Sequence, residues 1–105
     1  ARQAQAARDS LSRPSLALRT DALQDLAIVD VGDVEVYAGD IERSLGQIRE
    51  AVAAVTAAGA IPVVLGGDHS ITYADCSGVA DVRGAGSLSL IHFDAHADTG
   101  NIAFG

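Results

Sequence analysis

Three short apolar runs, each emptying into a loop of Gly and Asp, constrain the fold of this chain more than any other feature. Leu26-Ala27-Ile28-Val29-Asp30-Val31 stops at Gly32-Asp33. Ile61-Pro62-Val63-Val64-Leu65 stops at Gly66-Gly67, and Ser87-Leu88-Ser89-Leu90-Ile91-His92-Phe93 stops at Asp94. Runs of this length bounded by turn residues read as buried strands, and Pro62 is tolerable at the start of one. Between the first two, Ile41, Leu45, Ile48, Val52 and Val55 recur at helical spacing. Asp40 is placed to cap that helix and Gly59 to end it. A shorter, weaker helix is expected after Ser70, interrupted by Asp75, Ser77 and Gly78, and Gly84-Ala85-Gly86 reads as a loop. Residues 1–13 read as a helix or frayed terminus, and Pro14 suits the first position of a short helix through about Thr20. Strand, helix, strand, helix, strand predicts an α/β class with a parallel sheet and helical crossovers. Parallel sheets are normally covered on both faces, which three strands and few helices cannot achieve. Residues 1–105 are therefore expected to be the N-terminal part of a single domain.

Composition narrows the function. Hydrophobic residues make up 49% of the 105, enough for a core, and only 4% are aromatic. Seven basic against 14 acidic side chains give a net charge of −7. That balance argues against nucleic acid or an anionic membrane surface as partner, since both require basic patches. Bound cations would offset part of the charge. Cys76 is the only cysteine, so no internal disulfide is expected, and a reducing, cytoplasmic setting follows. No apolar run approaches a membrane span.

The chemistry concentrates in Gly66-Gly67-Asp68-His69-Ser70 and Asp94-Ala95-His96-Ala97-Asp98. Both lie where a strand runs out, the place where open α/β sheets bind ligands. Residues two apart in extended chain point the same way, so Asp94, His96 and Asp98 share a face if extension persists past Phe93. Residues 70–93 are long enough for one helical crossover, which lets His69 meet that triplet. A helix starting near Ser70 disfavours imidazolium at His69 and keeps the ring neutral, the form that binds metal. Imidazole and carboxylate donors without thiolate suit manganese or a similar ion, and a bridging carboxylate makes a two-metal centre feasible. A calcium loop starting at Asp94 fits poorly, with Thr99 and Gly105 at the positions that call for Gly and Glu. Asp68 can cap the helix or orient a ligand from behind. His92 shares the strand parity of His96 but lies deeper, as a core histidine or a support for a ligand. Asn101 is a further cleft candidate. Asp30 and Asp33 read as turn residues, and Arg13 and Arg19 as surface positions.

These two motifs, together with the stretch from Leu26 to Tyr37, resemble the ureohydrolase family, which includes arginase, agmatinase and guanidinobutyrase. The segment from His92 to Asn101 is more similar to agmatinase and guanidinobutyrase than to arginase. The resemblance implies a three-layer α/β/α sandwich on a mainly parallel sheet, assembled as trimers or hexamers. It implies two manganese ions and a bridging hydroxide that split a small guanidino compound to urea and an amine. By position, His69 would bind one ion, Asp94 would bridge both, and His96 would bind the second. Asp98 would bind the first and hold the hydroxide. The family's later Asp-x-Asp pair, proton-transfer histidine and guanidinium-gripping glutamate have no counterpart within residues 1–105. Two alternatives stay open: arginine as the substrate, or a noncatalytic metal-binding or assembly fragment.

Overall fold

The computed structural model describes residues 15–21 and 26–98. Expectations for residues 1–13, including Arg13, and for Pro14 and Asn101 lie outside the described residues. The chain divides into two units, Ala1–Asp33 and Val34–Gly105. In the first, the helix expected through Thr20 is replaced at residues 15–20 by a tight turn. Ser15 N–H donates to the Thr20 carbonyl at 2.9 Å, closing an isolated antiparallel bridge. Leu18 N–H bonds the Ser15 hydroxyl at 3.2 Å, and Arg19 takes a left-handed φ of 52°. A serine side chain that offers the backbone a local acceptor competes with helix formation, and a left-handed residue ends it. Further along, the Asp30 carboxylate accepts from Gly32 N–H at 2.9 Å, and Gly32 adopts φ 84°. Asp30 is thus the turn residue its position predicts.

The second unit is built on two helices, α1 (Ile41–Ala57) and α2 (Ile71–Arg83). Asp40 caps α1, its carboxylate accepting from Arg43 N–H at 3.0 Å. Gly59, at φ 79°, follows the last turn and donates to the Thr56 carbonyl at 3.0 Å. The buried stripe of α1 is Ser44, Ile48, Val52 and Thr56. It is rotated from the apolar spacing, leaving Ile41 exposed and Leu45 and Val55 half-buried. Two hydroxyls can sit in this stripe because each is satisfied within the helix. Ser44 donates to the Asp40 carbonyl and Thr56 to the Val52 carbonyl, both at 2.8 Å. Ser44 also accepts from Tyr37 N–H at 2.8 Å, tying the preceding loop to α1. The Arg43 guanidinium, 3.5 Å above the Tyr37 ring, closes the same corner.

Helix α2 runs unbroken through Asp75, Ser77 and Gly78, contrary to the interruption expected there. Gly78 is a contact point rather than a break. A Cβ at that position would lie 2.6 Å from the Arg49 carbonyl oxygen and 2.9 Å from Val52 Cβ. Its missing side chain lets α2 approach the α1 backbone. Ala74, 1% exposed, does the same one turn earlier, and Ile48, Val52 and Ala74 form the core with Val34, Leu45, Val64, Ile71 and Val79 against it. Arg49 and Asp81 fork across the helix pair with two contacts of 2.6 Å. The paired charge holds the Asp81 carboxyl below and the Arg49 guanidinium above their ordinary ranges. Both side chains are half exposed, so this pair registers the helices more than it stabilises them.

The parallel sheet is not formed among the described residues: residues 26–31, 61–65 and 87–93 make no strand ladder, and α1 and α2 are the only regular elements. The reason lies in what each run can bury. In 61–65, Val64 packs on the helices while Ile61, Val63 and Leu65 stay exposed, Leu65 by 91%. Phe93 is 94% exposed at the end of 87–93. Apolar runs with one face open lack the two-sided burial that supports a parallel ladder.

Two outcomes test this packing. Gly78→Ala gains helix propensity but forces backbone apart, and should lose about 1–3 kcal/mol of stability in urea unfolding. Because the Asp81 carboxyl is lowered in the folded state, its contribution is complete above the unfolded carboxylate pKa and lost as pH falls through the folded value. Asp81→Asn should therefore flatten the loss of helical circular dichroism below about pH 4.

Candidate metal centre

His69 is delivered by the turn that opens α2. Its carbonyl accepts from Thr72 N–H at 3.1 Å, so the residue is already part of the first helical turn. Asp68 closes that turn from the other side, accepting from Ser70 N–H at 2.9 Å and from the Ser70 hydroxyl. These two bonds, the hydroxyl first, hold the Asp68 carboxyl below its ordinary range. Asp68 thus shapes the backbone on which His69 rides. Gly66 contributes space: a Cβ there would meet the Ile71 side chain at 2.6 Å, whereas Gly67 faces open room. Neither glycine has a positive φ, so the role of Gly66 is close approach rather than an unusual turn.

Extension does not persist past Phe93. The chain bends over residues 94–96, where the Asp94 carboxylate folds back to accept from His96 N–H at 2.8 Å. Asp98 then takes a left-handed φ of 49°, a conformation that aspartate tolerates better than most residues. The two-residue alternation assumed for Asp94, His96 and Asp98 is replaced by a turn of the kind Asp side chains promote. The consequence is a different grouping.

His69 Nδ1 lies 3.1 Å from Asp94 Oδ2 and 2.8 Å from Asp98 Oδ2. His92 joins them: ligand atoms of His69, His92, Asp94 and Asp98 all fall within 4.8 Å of one another. The His69 and His92 rings meet edge to face, with centroids 4.8 Å apart and planes at 84°. His96 stands outside that group, its side chain 82% exposed and its Nδ1 3.4 Å from Asp94 Oδ1. The Asp94 carboxyl is held below its ordinary range, first by the His96 backbone N–H and then by the His69 side chain, against partial desolvation. Asp94 is thereby kept ionised. Its oxygens face different imidazoles, Oδ2 toward His69 and Oδ1 toward His96. The donor set is nitrogen and carboxylate oxygen without sulfur, which fits a borderline-hard divalent cation. Asp98 is in the group the sequence predicts, though it arrives through a left-handed residue rather than extended chain; His92, read as a core histidine or a support, comes within reach of the ligand atoms.

The arginase family model matches residues 2–104. The chain is 44% identical over 80 residues to a mitochondrial agmatinase of Gallus gallus, covering 76% of this chain and 23% of that protein. It is 43% identical over 82 residues to a mitochondrial guanidino acid hydrolase of Homo sapiens, covering 78% of this chain and 23% of that protein. A formimidoylglutamase of Aeromonas hydrophila subsp. hydrophila is 38% identical over 72 residues, covering 68% of this chain and 23% of its own length. The chain thus spans about a quarter of the length of these relatives. No solved structure matches it.

The turn at Asp68 can be tested apart from the ligands. Asp68→Ala should weaken Mn2+ binding by about tenfold in calorimetric titration, as expected when the support of a ligand is removed. Asp68→Asn keeps the acceptor for Ser70 N–H and should restore most of that loss.

Proposed function

Because the chain belongs to the arginase family, an α/β family of hydrolases, we propose that it is the N-terminal part of an agmatinase-like enzyme domain. Its substrate is a small guanidino compound of the agmatine or 4-guanidinobutanoate type, cleaved to urea and an amine. The observation that carries this reading is Asp94, ionised and set between His69 and His96 with one oxygen toward each. A carboxylate so placed is suited to bridge two cations. His69 and Asp98 would hold one manganese ion, Asp94 both, and His96 the second, with Asp98 also orienting the attacking water. Bound there, the ions supply a nucleophile at neutral pH and neutralise charge developing on the substrate. Asp94 stays a fixed anion, His69 keeps Nδ1 aimed at the Asp94 and Asp98 carboxylates, and the exposed ring of His96 stands 3.4 Å from Asp94. Assembly as a homo-oligomer and a reducing, cytoplasmic location belong to the same proposal.

The test uses the full-length protein loaded with Mn2+ and measures urea from agmatine, 4-guanidinobutanoate and arginine. Formation of urea from either of the first two, faster than from arginine, is expected. Urea from arginine alone would move the assignment to arginase. A formimidoyl-glutamate substrate belongs in the same panel, given the formimidoylglutamase relative, and turnover of it alone would overturn the guanidino reading. Among variants, His69→Ala and Asp98→Asn should weaken one Mn2+ site in calorimetric titration. Asp94→Ala should weaken both and abolish urea release.

A further inference from the structure

We propose that His92 is a positioning residue: its ring steadies the plane of the His69 imidazole, whose Nδ1 is directed at Asp94 and Asp98. This rests on the metal-centre reading above and deepens it. The argument begins with what holds a histidine ring. Rotation about χ2 is broad and nearly two-fold, and turning the ring over exchanges Nδ1 for a carbon. Backbone placement of His69 at the start of α2 therefore does not by itself aim its nitrogen. The His69 side chain is 35% exposed, so the surrounding core does not immobilise it either.

Two kinds of contact remain. Asp94 and Asp98 engage Nδ1 from one side, at 3.1 and 2.8 Å. His92 meets the His69 ring edge to face, at 84° and 4.8 Å between centroids. That is a preferred arrangement for aromatic pairs, and it restrains the tilt of the ring, while the carboxylates at Nδ1 decide which edge of the ring faces them.

His92 brings a ligand atom within 4.8 Å of those of His69, Asp94 and Asp98, but the contact it makes is with a ring. Among the described residues its ring has no carboxylate at ion-pair distance, whereas His69 has two. Its ring packs edge to face on that of His69. Sequence placement agrees: His92 lies two residues before Asp94, so the segment that brings the acceptor to His69 also brings the ring that packs on it. One chain segment thereby sets both the direction and the plane of the His69 ring.

The experiment compares His92→Ala, His92→Leu and His92→Phe in the full-length protein. Leu fills volume without a ring, and Phe keeps a flat ring without nitrogen. Two readouts are taken: Mn2+ affinity by calorimetric titration of metal-free protein, and the ring nitrogen and carbon resonances of His69 in histidine-labelled, metal-free protein. Both Ala and Leu should weaken one Mn2+ site about tenfold and shift or broaden the His69 ring signals. Phe should restore both toward the unmodified protein. Unchanged affinity and unchanged His69 signals in the Ala and Leu variants would overturn the proposal. Failure of Phe to restore either readout would also overturn it, by showing that a nitrogen of His92 is what matters. If the unmodified protein binds no Mn2+, the metal-centre reading fails, and the metal-free resonances still decide whether His92 orders His69.

Discussion

The close approach of α2 to α1 at Gly78 is the contact on which the second unit depends. A hydrogen in place of a side chain puts α2 against the Arg49 carbonyl and Val52, and Ala74 continues the seam toward the N-terminal end of α2. That end carries Asp68, His69 and Ser70. The position of the first imidazole is therefore a consequence of helix packing, transmitted through one rigid turn. The Arg49–Asp81 fork lies on the exposed side of the same seam and adds register where apolar contacts alone would allow sliding.

The second half of the candidate site is held by a different device. Asp94 spends one oxygen on the backbone two residues ahead, and this bends the chain at the point where a strand would otherwise continue. The same bond keeps Asp94 charged and leaves its other oxygen for His69. Local side-chain-to-backbone bonds, Asp68 to Ser70 and Asp94 to His96, thus shape both limbs of the site. Neither needs a strand ladder. That explains how His69, His92, Asp94 and Asp98 come together although the runs leading to them are unpaired among the described residues.

Legibility in the sequence followed the range of the interaction. The cap at Asp40, the stop at Gly59 and the loop at Gly84 are local chemistry, and each reading agrees with the structure. The pairing of His69 with the Asp94 motif was also legible, because two donor-rich loops at the ends of adjacent runs are a strong combined signal. Gly78 was misread as a helix interruption, since its role depends on a neighbouring helix that sequence spacing does not display. The buried stripe of α1 was displaced for a similar reason. Ser44 and Thr56 count as polar in a periodicity argument, but their hydroxyls are spent on carbonyls of the helix itself. The place of Asp98 was missed in its geometry, because alternation holds only while the backbone stays extended.

The apolar runs carry the last part of the argument. Val64 is turned onto the helices, while Ile61, Val63 and Leu65 face away from them. Alternation of that kind, with both sets apolar, is the signature of a segment meant to be buried on two sides. Membership of the arginase family gives that requirement a context, since it implies an α/β fold in which helices cover a sheet. The helix pair covers the Val64 side of 61–65 and leaves the other side open. The chemistry and the uncovered apolar face thus originate in the same two segments, 61–69 and 87–98.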